Sequence, residues 1–135
     1  MNLLLDTHIL IWTLSDDPRL SENARNMISS PNSVIFYSTA SLWEIAIKNM
    51  KSPEKCPYHE KTIRTFCDQA GFLPFEIRSD HVLAIRALQI KPDRYLSNQD
   101  PFDRILLGQA KVENCRLLSH DTAFLNYGEP CIMMV

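Results

Sequence analysis

The stretch Leu3-Leu4-Leu5-Asp6-Thr7-His8-Ile9-Leu10 decides the fold, because an apolar run ends at an acid and then passes into a helical pattern. It predicts a buried strand followed by a short apolar helix. Short apolar runs alternate with amphipathic helices along the rest of the chain, which predicts an α/β fold with a central parallel sheet and helices on both faces. Right-handed crossovers then bring the strand-to-helix junctions to one edge of that sheet.

The pattern of elements can be followed along the whole sequence. Strands are predicted at residues 3–5, 33–37, 72–77, 115–119 and 131–135. Helices are predicted at residues 9–14, 21–30, 40–50, 59–70, 79–88, 101–112 and 121–126, the last one short. Ser21 is expected to cap the second helix, Gly71 to end the fourth, and Pro74 to place the third strand at a sheet edge. The segments 51–58 and 91–99 are polar connections, and residues 1–135 are expected to form one domain.

Composition narrows the class of protein without assigning a function. The 135 residues are 45% hydrophobic and 22% charged, as in an ordinary globular protein, and a net charge of −2 predicts no general affinity for nucleic acid. The four cysteines lie far apart without metal-binding spacing, so we expect reduced thiols and no structural zinc. Neither a leader nor a membrane-length apolar run is visible, and we expect a soluble, cytoplasmic protein.

Four acids follow the predicted strands directly or lie early in the helices that come next: Asp6, Glu44, Asp103 and Asp121. Because parallel strands end along one sheet edge, these acids are expected to meet in one pocket. Four carboxylates in one pocket repel each other unless cations bind there. Oxygen ligands favour Mg²⁺ or Mn²⁺ over zinc, so the pattern predicts a divalent-metal site suited to phosphodiester hydrolysis.

Helix capping is the simpler explanation of each acid taken singly. The residues placed to act as helix caps are Asp6, Asp100, Asp121 and Ser119. Glu44 has the spacing of a capping box with Ser41, and it also lies one turn before Lys48, with which it is able to pair. Capping needs only one oxygen and accepts Ser, Thr or Asn equally well, so recurring carboxylates favour the metal site. Asp100 is interpreted as a cap that precedes Pro101 at the first helical position.

Four blocks of sequence, taken together, resemble those of a PIN domain: Leu3-Leu4-Leu5-Asp6-Thr7-His8, Ser41-Leu42-Trp43-Glu44-Ile45-Ala46-Ile47-Lys48, Asp100-Pro101-Phe102-Asp103-Arg104 with Gly108-Gln109-Ala110, and Leu118-Ser119-His120-Asp121. The sequence is most similar to VapC-type ribonuclease toxins of prokaryotic toxin–antitoxin pairs, from Met1 to the final strand. This resemblance implies a three-layer α/β/α PIN-like fold and a ribonuclease that uses Mg²⁺ or Mn²⁺. It also implies a homodimer that a small cognate antitoxin inhibits.

The same resemblance implies roles for individual residues. Asp6 and Asp103 would be the principal metal ligands. Glu44 and Asp121 would bind the metal directly or through water and orient the nucleophile. Thr7 and Ser119 carry hydroxyls beside the first and last acids and would support the site. One departure concerns Asn98-Gln99, where many relatives carry His or Arg, and this difference bears on substrate positioning.

Other residues near the acids have ordinary explanations as well. His8 and His120 are expected to pack beside the site or face solvent, because no second nitrogen ligand stands at metal spacing. Trp12 and Trp43 are expected to be core or partner-contact residues, because no interleaved basic and aromatic pattern surrounds them.

Two sets of residues have open interpretations at this stage. The first set consists of three lysines, Lys48, Lys51 and Lys55. These lysines would form either a phosphate-binding strip or an ordinary solvated face. The second set would be a dimer or antitoxin surface or part of the core. It comprises Ile9, Leu10 and Leu14, or alternatively the apolar face of the third and fourth predicted helices.

Two alternative functions belong to other classes. A receiver-like domain would bind Mg²⁺ at its sheet edge and accept a phosphoryl group. Against it, the first strand ends in a single acid, Asp6, and the last strands supply no Lys to the site. A catalytically silent PIN-like binding module would keep the fold and a partner without turning over RNA.

Overall fold

The computed structural model of the protein describes residues 1–91 and 100–135. Within these residues the strands are β1 (Asn2–Leu5), β2 (Val34–Ser38), β3 (Leu73–Phe75), β4 (Arg116–Ser119) and β5 (Ile132–Met134). The α-helices are α1 (Thr7–Leu14), α2 (Glu22–Ser29), α3 (Thr39–Lys51), α4 (Glu60–Ala70), α5 (Ser79–Ala84) and α6 (Pro101–Glu113). Short 3₁₀ helices lie at Ile85–Ala87 and Thr122–Asn126.

The strands form one parallel sheet in the order β3-β2-β1-β4-β5. The predicted parallel sheet is therefore confirmed, and Pro74 lies in the edge strand β3, as expected. The receiver-like alternative is wrong on topology, since doubly wound sheets of that kind have the order 2-1-3-4-5. β1 is central because Leu3, Leu4 and Leu5 are apolar on both faces of the strand, and all three are fully buried.

Two cores cover the two faces of the sheet, as the alternation of side chains along β1 requires. Leu3 and Leu5 join a core that the helices α1 to α4 complete, with Ile45 of α3 and Ile63 of α4 among its members. Leu4 joins a second core on the opposite face, where α6 packs. The chain therefore has helices on both faces of the sheet, as predicted.

Capping residues in the sequence predicted several helix ends correctly. The hydroxyl of Ser21 caps α2, and Gly71 ends α4 with a positive φ of 77°. The predicted helix 79–88 is partly wrong, because α5 ends at Ala84 and tightens into a 3₁₀ turn, which is common at helix ends. The segment predicted as a short helix at 121–126 is also 3₁₀. The predictions for the polar segment 91–99, including Asn98-Gln99, lie outside the described residues apart from Lys91.

A close contact between α5 and α6 fixes the direction of α6. A Cβ on Gly108 would lie 2.5 Å from the carbonyl oxygen of His81, so only glycine allows this approach. The fully buried His81 places Nε2 2.9 Å from Oε1 of Glu113, near the end of α6. These contacts hold the helix whose first turn carries Asp103. In the described part of the chain, no helix combines the length and apolar character that a bilayer span requires.

Candidate active site

Asp6 lies where the two central strands end side by side. Leu5 of β1 is in register with Leu118 of β4, and the N–H of Asp6 donates to the Leu118 carbonyl at 3.1 Å. The Asp6 side chain caps α1, because its Oδ1 accepts from the N–H of Ile9 at 2.8 Å. Its Oδ2 accepts a hydrogen bond from the hydroxyl of Ser119, at the end of β4. The predicted cap is confirmed, and the carboxylate still lies at the sheet edge.

Glu44 reaches the same edge from α3. Its Oε1 accepts a hydrogen bond from the Thr7 hydroxyl at 2.6 Å, and its Oε2 accepts one from Nζ of Lys48 at 2.7 Å. The Ser41 hydroxyl lies 2.9 Å from that of Thr7 and extends the network. The predicted pair with Lys48 is confirmed.

The capping-box explanation of Glu44 is wrong. α3 begins at Thr39, and the hydroxyl of Ser38 caps it by accepting from the N–H of Ala40 at 3.0 Å. Glu44 therefore lies in the second turn, beyond reach of the helix start, and its carboxylate is buried against Thr7. This burial of a charged side chain is not explained by the requirements of α3 itself.

The remaining acids come from the starts of two helices. Oδ1 of Asp100 accepts from the N–H of Phe102 at 2.8 Å, so its predicted capping of α6 is confirmed. Asp103 lies one turn further along, in the first turn of α6. Asp121 is exposed and caps the 3₁₀ helix by accepting from the N–H of Ala123 at 2.9 Å, while its own N–H donates to Ser119 Oγ at 3.0 Å. Ser119 thus contacts both Asp6 and Asp121.

The acids influence one another electrostatically. Burial raises the pKa of Asp6 to about 6, against the opposing effect of its hydrogen bonds from Ser119 and Ile9. The pKa of Asp103 is raised to about 7, first by burial and then by repulsion from Asp100, Asp121, Glu44 and Asp6. Each of the other three predicted site acids therefore contributes to raising the pKa of Asp103. Their combined negative charge is what a cation would neutralise.

The carboxylate oxygens of the four acids are suitable ligands for a hard divalent cation, but the side chains are not arranged as a complete coordination site. Within residues 1–91 and 100–135, no group of three or more His, Cys, Asp or Glu side chains is already arranged to hold a metal ion. Three of the carboxylates already have protein partners: Asp6 has Ser119, Glu44 has Thr7 and Lys48, and Asp121 has its helix N–H. Binding a cation here requires some of these partners to be exchanged, with Lys48 the closest positive charge to displace.

Aromatic rings surround the edge of the acid cluster. The centroid of the Trp12 ring lies 6.0 Å from that of His8 and 5.6 Å from that of His120. Nδ1 of His120 lies 2.8 Å from the carbonyl oxygen of Val135. The expected packing role of the two histidines therefore agrees with their contacts. Trp43 is 60% exposed, and its ring packs in a T-shaped arrangement with that of Phe102, with 5.0 Å between ring centroids.

A basic cavity of about 180 Å³ opens beside Glu44. Its lining includes His8, Trp12, Arg19, Lys48, Lys55 and Tyr58. Lys48 and Lys55 of the proposed lysine strip thus share one cavity, whereas Lys51 lies outside its lining. Arg19 and Tyr58 were not predicted as site residues, because only the packing of separate segments brings them to the cavity.

Ile9 and Leu10 are core residues. They are 1% and 0% exposed, so the interpretation of these two as a partner surface is wrong. Leu14 is half-buried and packs against the same core.

The chain matches a known family over nearly its whole length. The family described as PIN domain matches residues 3–130. Among curated proteins, none matches the chain significantly.

Several solved structures have a similar fold. VapBC2 from Rickettsia felis, bound to a DNA fragment from its promoter, is 16% identical, with a TM-score of 0.67 over 100% of this chain and 98% of that chain. A toxin–antitoxin complex from Klebsiella pneumoniae is 23% identical, with a TM-score of 0.62 over 97% and 95%. VapC20 from Mycobacterium tuberculosis, a toxin that cleaves the sarcin-ricin loop, is 13% identical, with a TM-score of 0.60 over 91% and 92%. At such identities the likeness establishes a shared fold.

Proposed function

Because the chain belongs to the PIN domain family, we propose that it is an endoribonuclease that depends on Mg²⁺ or Mn²⁺. Its reaction is hydrolysis of RNA phosphodiester bonds at Asp6, Glu44, Asp103 and Asp121. One observation carries the proposal: burial, and then repulsion from acids of separate segments, raises the pKa of Asp103 to about 7. Carboxyl groups whose pKa values are raised by burial and by neighbouring acids are typical of functional sites, and a bound cation would relieve their repulsion.

Each acid has a distinct role in this proposal. Asp6 and Asp103 are the principal ligands, since burial deprives both carboxylates of the solvent that would otherwise stabilise their charge. Glu44 and Asp121 hold the cation directly or through water and orient the attacking water. When bound, the divalent ion lowers the pKa of that water and stabilises charge on the leaving oxygen.

Neighbouring polar groups keep the carboxylates in position. Ser119 holds Oδ2 of Asp6 and the N–H of Asp121, so one hydroxyl orients two acids. Thr7 holds Oε1 of Glu44. Second-sphere hydrogen bonds of this kind fix the direction of ligand oxygens and tune their basicity. Thr7 and Ser119 therefore act as positioning residues.

The biological role that we propose is that of a toxin in a toxin–antitoxin pair. The support is the fold shared with VapBC2 and with the Klebsiella pneumoniae toxin–antitoxin complex. RNA as the substrate agrees with the similar fold of a toxin that cleaves the sarcin-ricin loop. On this proposal the protein is a cytoplasmic homodimer, and a small cognate antitoxin inhibits it.

A catalytically silent PIN-like binding module is the second candidate. It is favoured by the existing partners of the carboxylates, above all the contact of 2.7 Å between Lys48 Nζ and Glu44 Oε2. In such a module Lys48 would permanently take the place of a cation.

Cleavage of labelled total RNA by antitoxin-free protein separates the two candidates. The reactions contain Mg²⁺, Mn²⁺ or EDTA, and Asp6→Asn is assayed alongside. Asparagine also caps a helix, so this variant keeps the fold while removing the charge. Discrete products that require the metal and disappear in Asp6→Asn support the ribonuclease. A folded, metal-binding wild type that yields no products supports the binding module.

A further inference from the structure

We propose that the basic cavity beside Glu44 is a substrate-positioning subsite that holds one unpaired nucleotide next to the bond to be cleaved. The inference rests on the proposed function and adds the residues that position an unpaired RNA segment at the acids. The residues that carry it are Trp12, Arg19, Lys55 and Tyr58, which line one cavity of about 180 Å³ although they come from α1, from the turn after it and from the connection between α3 and α4.

The cavity is continuous with the acid cluster. Thr7 and Lys48 both line it, and both donate hydrogen bonds to Glu44, at 2.6 Å and 2.7 Å. The His120 ring, next to Asp121 in sequence, packs against Trp12, with 5.6 Å between ring centroids. A nucleotide in the cavity therefore has its neighbouring phosphate at the acids.

The charges of the cavity suit a phosphate. Its described lining contains the cations Arg19, Lys48 and Lys55 and includes no acidic side chain. Arg19 is held by two hydrogen bonds to Asp17, at 3.1 Å and 2.8 Å, and Lys48 is paired with Glu44. Lys55 takes part in none of the salt bridges found between described residues. Lys55 is therefore the cation whose charge is most open to a phosphate.

The aromatic groups suit a base. Trp12 and Tyr58 line the cavity, and the guanidinium of Arg19 lies 5.0 Å from the centre of the Trp12 ring. The connection that carries Lys55 and Tyr58 is tied to α3, because Nδ2 of Asn49 donates to the Cys56 carbonyl at 2.8 Å. Aromatic faces combined with cations are the usual features of single-strand binding, in which bases stack on side chains. An acidic peptide would use the cations and gain little from the rings.

The size of the cavity excludes a base-paired helix. A volume of about 180 Å³ admits the base of one nucleotide and not a base pair, so the base has to leave its stack to enter while its sugar and phosphate stay at the rim. Duplex RNA would contact only the rim. The subsite thus selects loops and unpaired segments.

Binding is measured without turnover, so that its result is independent of the proposed function. The chain carries Asp6→Asn, which prevents cleavage, and Trp43→Phe, which leaves Trp12 as the single tryptophan of the two in the sequence. Fluorescence of Trp12 is followed in metal-free buffer while a short single-stranded RNA is added at several salt concentrations. Lys55→Gln is compared with Lys51→Gln, a matched control on an exposed lysine outside the cavity. The same RNA as a blunt duplex, and a poly-glutamate peptide, are the other probes.

The expected result is a change in Trp12 fluorescence with single-stranded RNA and little change with duplex. Lys55→Gln should weaken binding roughly three- to tenfold and reduce the salt slope by ~0.7, the value for one phosphate contact on a single strand. Lys51→Gln should bind as its parent does. With the native Asp6 and Mn²⁺, Lys55→Gln should raise KM and leave kcat unchanged.

Three results would overturn the subsite: equal binding by the two lysine variants, equal effects of duplex and single strand, or a response to the peptide without one to RNA. If the subsite behaves as expected but the wild type cleaves no RNA, only the proposed function fails. If the wild type cleaves RNA and Lys55→Gln matches Lys51→Gln in binding and KM, only the subsite fails.

Discussion

The hydroxyl of Thr7 donates a hydrogen bond of 2.6 Å to Oε1 of Glu44, a residue 37 positions further along the chain. Thr7 follows Asp6 directly, so the junction between β1 and α1 supplies one acid and orients another. This contact couples the end of the central strand to α3. It also accounts for the burial of Glu44, which α3 alone does not require.

Thr7→Val tests that coupling. The substitution leaves Glu44 with a buried, unsatisfied oxygen, and we expect a loss of about 1–3 kcal/mol in the free energy of unfolding. Cleavage should also slow, because the carboxylate loses its fixed direction. Urea denaturation and the cleavage rate measure the two effects. Thr7→Ser keeps the hydroxyl, so its stability and cleavage rate should be close to those of the wild type. If Thr7→Val and Thr7→Ser gave the same stability and the same rate, Thr7 would have no role in positioning Glu44.

The stability of the metal-free protein should fall as pH rises from about 4 to about 7. The pKa values of Asp6 and Asp103 are raised to about 6 and about 7, so between the ordinary carboxyl range and these values the folded state binds more protons than the unfolded state. Stability contributed by the protonated forms is then lost as each group ionises. Denaturation midpoints at several pH values measure this slope. Asp103→Asn should make the dependence of stability on pH less steep. An unchanged slope in this variant would contradict the raised pKa of Asp103.

Lys48→Gln should strengthen metal binding. The Lys48 ammonium lies 2.7 Å from Oε2 of Glu44 and competes with any added cation for that carboxylate. Removing its charge should raise the affinity for Mn²⁺ by a few-fold, as measured by calorimetry, since opposite charges at this distance attract even near the surface. Lys51→Gln removes a charge from the same helix and serves as the control. Weaker Mn²⁺ binding in Lys48→Gln would mean that Lys48 helps to organise the site.

Gly108→Ala should destabilise the protein. The new Cβ would lie 2.5 Å from the His81 carbonyl oxygen, so α5 and α6 would have to separate. Overpacking typically costs about 1–3 kcal/mol, and the better helix propensity of alanine recovers up to about 1 kcal/mol of it. A net loss in urea denaturation is therefore expected. In Gly128→Ala the nearest contact is Gln89 Cβ at 4.0 Å, and this control should be close to neutral. A stable Gly108→Ala would mean that the helix contact is more adaptable than its geometry suggests.

The sequence was sufficient for the features that depend on local pattern. Leu3-Leu4-Leu5 predicted a buried strand, and the junction rule predicted that the residues following parallel strands, Asp6 among them, would lie at one sheet edge. The caps at Ser21, Asp100 and Gly71 follow from side-chain chemistry within a few residues. The Glu44–Lys48 pair follows from helical spacing alone.

Features that depend on packing between distant segments could not be predicted from local sequence pattern. The spacing of Ser41 and Glu44 fits a capping box, but α3 begins at Thr39, and the cap is Ser38, three residues before Ser41. Ile9 and Leu10 belong to a pattern shared by surface and core helices, and packing of α1 against the sheet and the neighbouring helices decides that they are buried. Arg19 reaches Trp12 through a turn held by Asp17, a geometry without a sequence signal.

Calorimetric titration of Mn²⁺ into the metal-free protein tests the central claim most directly. Wild type, Asp103→Asn and Asp100→Asn are compared near pH 8, where the raised pKa of Asp103 no longer opposes ionisation. Asp100→Asn keeps a capping side chain at a position assigned no ligand role. We predict that Asp103→Asn loses at least about tenfold in affinity, corresponding to ~1.4 kcal/mol, while Asp100→Asn stays close to wild type. Equal affinity in wild type and Asp103→Asn would contradict a metal site built from these acids.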